Sequence, residues 1–130
     1  MGSRVVPDIP GYNKVDAISF MEMKLKSNDV WVKRACLILY EQQTNIEKKN
    51  HISRGHNNVG FGRNDSPLLS KIACKLIQHR ETPEDITRLH KKIPRYARQL
   101  ICLSYEKDEC KTLKKHLDFY YKDAKSNMPF

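Results

Sequence analysis

Apolar side chains recur along this chain every three or four positions and almost never alternate, the spacing of helices that bury one face. Val15, Ile18, Met21, Met23 and Leu25 predict a short helix over 14–26. Trp31, Ala35, Ile38, Leu39 and Gln42 predict a second over 29–43, with Asn28 or Asp29 as its cap. Leu68, Leu69, Ile72, Ala73, Leu76 and Ile77 form a broad stripe that runs through residue 79. Asp65 or Ser66 caps that helix, and Pro67 suits its first turn. Thr82-Pro83-Glu84-Asp85 is a strong start signal: Thr82 caps, and Asp85 can reach back to the cap. Ile86, Leu89, Ile93, Tyr96, Ala97 and Leu100 continue from there with helical period. Pro94 interrupts them, which predicts a kink or two abutting helices. A last helix is predicted over 108–124, capped by Asp108, with Leu113, Leu117, Tyr120 and Tyr121 turned inward.

Between these segments the pattern dissolves. Pro7, Pro10 and Gly11 make residues 1–13 an irregular arm, which Val5, Val6 and Ile9 can anchor. Residues 48–64 read as a long break, rich in Gly and Asn, and its single aromatic, Phe61, is expected to pin it to the core. The tail 126–130 is expected to fray. The prediction is an all-α fold: one domain over 1–130, a compact bundle of five or six short helices with a long loop.

At 130 residues the chain is long enough to bury a core without staples. No apolar run reaches membrane-spanning length, and no hydrophobic signal core opens the chain, so a cytoplasmic protein is expected. Cys36, Cys74, Cys102 and Cys110 form no C-x-x-C pair and are expected to be reduced, mostly buried thiols. The histidines do not stand at zinc-finger spacing to any cysteine pair, and no cofactor is expected.

Charge changes the picture more than composition does. The net charge is +9, and it is segregated. Between Glu47 and Asp65 there is no acid, while Lys48, Lys49, Arg54 and Arg63 occur. Between Asp85 and Glu106 there is again none, while Arg88, Lys91, Lys92, Arg95 and Arg98 occur. Those nine cations equal the whole excess. Segregated charge of this kind suits a polyanionic partner. On a continuous helix, Arg88, Lys91, Lys92, Arg95 and Gln99 fall on one stripe and Arg98 flanks it. Such a stripe offers guanidinium and ammonium groups to phosphates, and Gln99 could reach a base edge. The alternative reading is a solvated face that touches nothing. Lys92 and Arg95 are expected to be exposed, so reversing both should leave folding nearly unchanged. The loop from Lys48 to Arg63 mixes cations, glycines and amides, which suits wrapping a phosphate backbone. It could also be an ordered loop whose asparagines cap neighbouring helices.

Catalysis is not expected. His51, His56, Asn57, Asn58 and Asp65 suggest a metal-dependent nuclease, but that constellation needs a strand pair, and no hairpin pattern precedes it. No nucleophile–base pair or carboxylate dyad stands out. Gly60-Phe61-Gly62 is not a dinucleotide fingerprint, for want of a strand and a third glycine. Trp31 and the tyrosines read as core aromatics before stacking platforms.

Several stretches resemble a small helical module of bacteriophage and bacterial mobile-element proteins that is sometimes found beside helicase-like domains. They are Trp31-Val32-Lys33-Arg34-Ala35, Leu39-Tyr40-Glu41-Gln42-Gln43-Thr44, His56-Asn57-Asn58-Val59-Gly60-Phe61, Asp65, Leu69-Ser70-Lys71-Ile72-Ala73 and Ile93-Pro94-Arg95-Tyr96-Ala97-Arg98-Gln99-Leu100, spread over residues 29–102. Asn58 departs from the glycine usual there, and Asp85 from a common glutamine. The resemblance implies a phage or mobile-DNA context in a host cytoplasm. The expected function is therefore non-enzymatic nucleic-acid binding, DNA ahead of RNA, through helix 88–99 and loop 48–63. The alternative is a phage-encoded inhibitor that binds a host nucleic-acid-processing protein. Metal-dependent nuclease activity stands third.

Overall fold

In the computed structural model most helix starts are set by a short polar residue whose oxygen serves an orphan N–H, or by proline; the helix that begins at Ala97 instead follows directly from a 3-10 turn. The structure describes residues 6–50 and 60–126, with side chains over 6–44 and 60–121. Six α-helices and one 3-10 turn make up the described residues, with an isolated bridge between Ile9 and Tyr12. The fold is all-α. No described helix is long and apolar enough to cross a membrane.

Helix α1 (Lys14–Ser27) starts where Asn13 Oδ1 accepts from the Asp16 N–H at 2.7 Å. Asn28 then does two jobs. Its N–H closes α1 on the Lys24 carbonyl at 2.8 Å, and its Oδ1 accepts from the Trp31 N–H at 3.0 Å to open α2 (Asp29–Asn50). Helix α3 (Ser66–Ile77) carries Pro67 in its first turn. Left-handed His79 closes it, with the Arg80 N–H bonded to the Lys75 carbonyl at 2.8 Å. Helix α4 (Pro83–Lys92) has the full capping box between Thr82 and Asp85. The 3-10 turn Ile93–Tyr96 joins it to α5 (Ala97–Asp108), and α6 (Lys111–Ser126) follows two left-handed residues, Glu109 and Cys110.

The core is continuous. Ala17, Phe20, Met21 and Leu25 of α1 meet Val32, Ala35, Cys36 and Leu39 of α2. Leu69, Ile72, Ala73 and Leu76 of α3 close it on one side, and Leu89, Ile93, Tyr96, Leu100 and Ile101 on another. α1 packs on the 3-10 turn and α5, α2 on α3 and α4, and α5 on α6. The N-terminal arm does anchor here, through buried Val6 and Ile9. His90 joins α4 to the corner between α1 and α2, with its ring nitrogens 2.8 Å from the Leu25 carbonyl and 2.6 Å from Asp29 Oδ1.

Two expectations about helix ends need correction. α2 does not end near residue 43 but continues to Asn50. Thr44 and Asn45 are poor helix formers, yet the Thr44 hydroxyl bonds back to the Glu41 carbonyl at 3.1 Å, and Glu47, Lys48 and Lys49 favour helix. The interruption expected at Pro94 takes the form of two helices, separated by the 3-10 turn. Asp108 closes α5 and does not begin the last helix. It still serves α6, accepting from the Thr112 N–H at 3.2 Å and the Thr112 hydroxyl at 2.6 Å. Some residues assigned inward also lie at the surface: Val15 is 71% exposed and Ile77 58%. Tyr120 leans on Phe20 yet stays partly exposed, and Tyr121 packs on Tyr12.

Candidate nucleic-acid interface

The turn 60–65, which ends the first acid-free window, is stitched to the 3-10 turn and α5, which lie inside the second. Gly60 is held at both of its polar atoms. Its N–H donates to Gln99 Oε1 at 2.5 Å, and its carbonyl accepts from Gln99 Nε2 at 3.1 Å. Its φ is +78°, and a Cβ there would lie 2.6 Å from the Gln43 Cβ, so glycine is required. The Phe61 N–H donates to Gln43 Oε1 at 3.3 Å, and its buried ring stands edge-on to Tyr96. Phe61 therefore anchors turn 60–65 in the core, while residues 51–59 of the expected loop lie outside the described residues. The Gly62 N–H donates to the Tyr96 hydroxyl at 2.8 Å, and that hydroxyl donates to Asp65 Oδ2 at 2.6 Å.

Asp65 is the centre of the junction. It is only 4% exposed, yet it stands at the start of α3 without making a side-chain cap bond. Its carboxylate turns instead toward the second window. Besides Tyr96 it accepts from Arg95 Nη1 at 3.2 Å and from Lys92 Nζ at 3.4 Å. Burial alone would raise the Asp65 carboxyl. The Tyr96 hydroxyl, Arg95 and Lys92 outweigh it and hold the group below the ordinary aspartate range. Burial, and then Asp65 itself, push the Tyr96 phenol up to about 12, so it stays a donor at neutral pH.

The expected stripe is thus changed in three ways. Gln99 does not face a base edge, because both ends of its amide clamp Gly60. The physical cause is the 3-10 turn: about 20° of extra rotation per residue over four residues takes Gln99 out of register with Arg88. Lys92 and Arg95 are not free cations but share one buried carboxylate. Arg88 leans toward buried Asp85 at 3.7 Å, which Lys75 also approaches at 3.3 Å. The heads are not spent, however. Arg95 keeps 60% of its side chain exposed, Arg88 51% and Lys92 37%. Two cations on each carboxylate leave one positive charge at each junction. Lys91, Arg98 and Arg63 are exposed and make no ion pair with a described carboxylate.

The two windows therefore meet in space through Gly60, Gly62 and Asp65 on one side and Lys92, Arg95, Tyr96 and Gln99 on the other. Lys48 and Lys49 end α2, and their side chains lie outside the described residues, as does Arg54. Of the suggested nuclease set, His51, His56, Asn57 and Asn58 also lie outside them. Asp65 is described, and its oxygens are engaged by Tyr96, Arg95 and Lys92. Among the described residues no three His, Cys, Asp or Glu side chains gather in a metal-binding group.

Sequence reasoning missed Asp65 and Tyr96 as builders of this surface. It read the first as a cap and the second as core. The available signal was an aspartate before Ser-Pro, beside a Ser66 that was offered as an equally good cap. The cysteines are free thiols, with Cys36, Cys102 and Cys110 buried and Cys74 exposed. Burial pushes the Cys36 thiol up to about 12 and the Cys110 thiol to about 11. No family model matches the chain, and neither a curated protein nor a solved structure matches it.

Proposed function

We propose that this is a small nucleic-acid-binding protein that works without catalysis. Its contact surface is the junction of turn 60–65 with the segment 88–98. The phage or mobile-element context implied by the sequence resemblance belongs to the same proposal. The observation that carries the reading is the meeting of two acid-free windows at one place. The segments that meet there carry Arg63, Arg88, Lys91, Lys92, Arg95 and Arg98, of which Lys92 and Arg95 share Asp65 and Arg88 leans on Asp85. A phosphate backbone fits such a surface because its charges are evenly spaced and reach exposed heads at little desolvation cost. Gln99 has no part in base reading, so the surface supports backbone contact and not sequence readout. DNA ahead of RNA is kept as the expected partner.

The test is fluorescence anisotropy with labelled single-stranded DNA, duplex DNA and RNA across a series of salt concentrations. If about five phosphates are neutralised, the duplex slope of log K against log salt is about −4 to −5. Lys91→Glu combined with Arg98→Glu should weaken binding about tenfold or more. A flat salt dependence sinks the proposal. A stoichiometric protein partner retained from nuclease-treated lysate, with no nucleic-acid binding by the purified chain, would replace it with the inhibitor reading.

A further inference from the structure

Every cation on the proposed surface could reach phosphate by flexibility alone, but two of them are hydrogen-bonded to one buried carboxylate. Lys92 and Arg95 share a carboxylate that is itself held by a buried tyrosine. Asp65 is buried, its side chain 5% exposed, and Tyr96 donates to the same oxygen that Arg95 uses. Tyr96 is fixed in turn by the Gly62 N–H and by its packing on Phe61. One N–H of the Arg95 guanidinium meets Asp65, and a guanidinium has five. One N–H of the Lys92 ammonium meets Asp65, and an ammonium has three. The unused donors belong to side chains that remain 60% and 37% exposed. Arg63 stands two residues before Asp65 in the same turn, with its side chain exposed.

We infer that Asp65 builds a single phosphate seat, holding Lys92 and Arg95 in fixed positions beside Arg63 so that one phosphodiester of the bound strand docks across them. Asp65 is a positioning residue and touches no ligand. The inference rests on the nucleic-acid reading and deepens it. Ordering two long side chains normally opposes binding, and here the folded protein has already ordered them.

The sign of one substitution separates this from simple electrostatics. Asp65→Asn removes a negative charge from a surface meant for a polyanion. If Asp65 only offsets its neighbours, duplex DNA should bind the variant more tightly. If Asp65 positions them, binding should weaken about fivefold despite the added positive charge. The salt slope should also fall by about 1 as a phosphate contact is lost. Helix content by circular dichroism is followed in parallel, and the assay is run below the variant's unfolding transition. A second measurement needs no variant. In the free wild-type protein the Arg95 side chain should be ordered by 15N relaxation, while Arg98 should be mobile. Tighter binding by Asp65→Asn, or an Arg95 as mobile as Arg98, overturns the inference. The two readings fail differently. If Lys91→Glu with Arg98→Glu weakens binding while Asp65→Asn strengthens it, only the seat is lost. If the wild-type chain binds no nucleic acid, the whole surface is lost.

Discussion

Two aspartates occupy matching places in this fold and do different work. Asp65 and Asp85 stand at the starts of α3 and α4, with 4% and 1% of their surface exposed. Each is approached by two cations, and each carboxyl is held below its ordinary range although burial acts the other way. Asp85 gets there mainly within its own turn, with Lys75 of α3 adding a hydrogen bond at 3.3 Å. Its Oδ2 accepts from the Thr82 N–H at 3.0 Å, and its own N–H donates to the Thr82 hydroxyl at 3.1 Å. Asp65 gets there across the fold, from Lys92, Arg95 and Tyr96, which lie 27 to 31 residues away. The first arrangement secures a helix end. The second secures a surface, and only the second ties two segments of like charge together.

The sharpest way to break the comparison is to reverse the cations at the long-range site. Lys92→Glu with Arg95→Glu leaves the buried Asp65 carboxylate with Tyr96 alone, facing two like charges. Removing one partner of a fully buried pair costs about 3–5 kcal/mol; half-exposed partners reduce this to about 2–3 kcal/mol here. Denaturant unfolding should show that loss. The expectation that both residues could be reversed with folding nearly unchanged treated them as surface cations. A result within about 0.5 kcal/mol of wild type would restore it and would mean that the junction does not hold in solution.

What the sequence made legible follows from the same contrast. Thr82-Pro83-Glu84-Asp85 could be read because every atom of its capping box lies within four residues. Asn28 as a cap, the α3 stripe and Leu89, Ile93 and Tyr96 as core were legible for the same reason, since helical period is a local signal. Gln99 was not legible, because its partner Gly60 lies 39 residues away. Asp65 was hidden by the very feature that drew attention. It is the acid that closes the first window along the chain, and in space it lies beneath the second. Counting acids between Asp85 and Glu106 could not find it. The 3-10 turn was half legible: Pro94 announced an interruption, but not the rotation that followed from it.

Acid should weaken both sites, and the sign is fixed by the directions of their shifts. Each carboxyl ionises more readily in the folded chain than in the unfolded one. The stability this contributes is present above the unfolded aspartate value of about 4 and is lost as pH falls through the lower folded value. The unfolding midpoint should therefore be flat in this respect from about pH 7 to 5 and drop below about pH 4. Asp65→Asn and Asp85→Asn should each make the drop shallower. An acid profile unchanged by either variant would show that these groups are not held as described.

A milder cut falls on the local site alone. Thr82→Ala removes the cap oxygen and should cost about 1 kcal/mol. It should leave nucleic-acid binding nearly intact, since of the proposed surface only Arg88 leans on Asp85, the capping partner of Thr82. Loss of binding without loss of fold would show that the two aspartate sites are coupled through α4.

The smallest expected effect on stability is also the one that divides fold from function. Lys91 and Arg98 are exposed and meet no described carboxylate, so Lys91→Glu and Arg98→Glu should each change stability by about 0.5 kcal/mol or less. Their effect on binding should still be large. Lys92 and Arg95 cannot give so clean a test, because their reversal changes the fold and the surface together. Dependence of binding on Lys91 and Arg98 at constant stability would assign the positive charge to a ligand. Binding and stability both unmoved would leave those two cations as solvated surface, and would leave the junction at Asp65 as a device for holding α3 against the 3-10 turn.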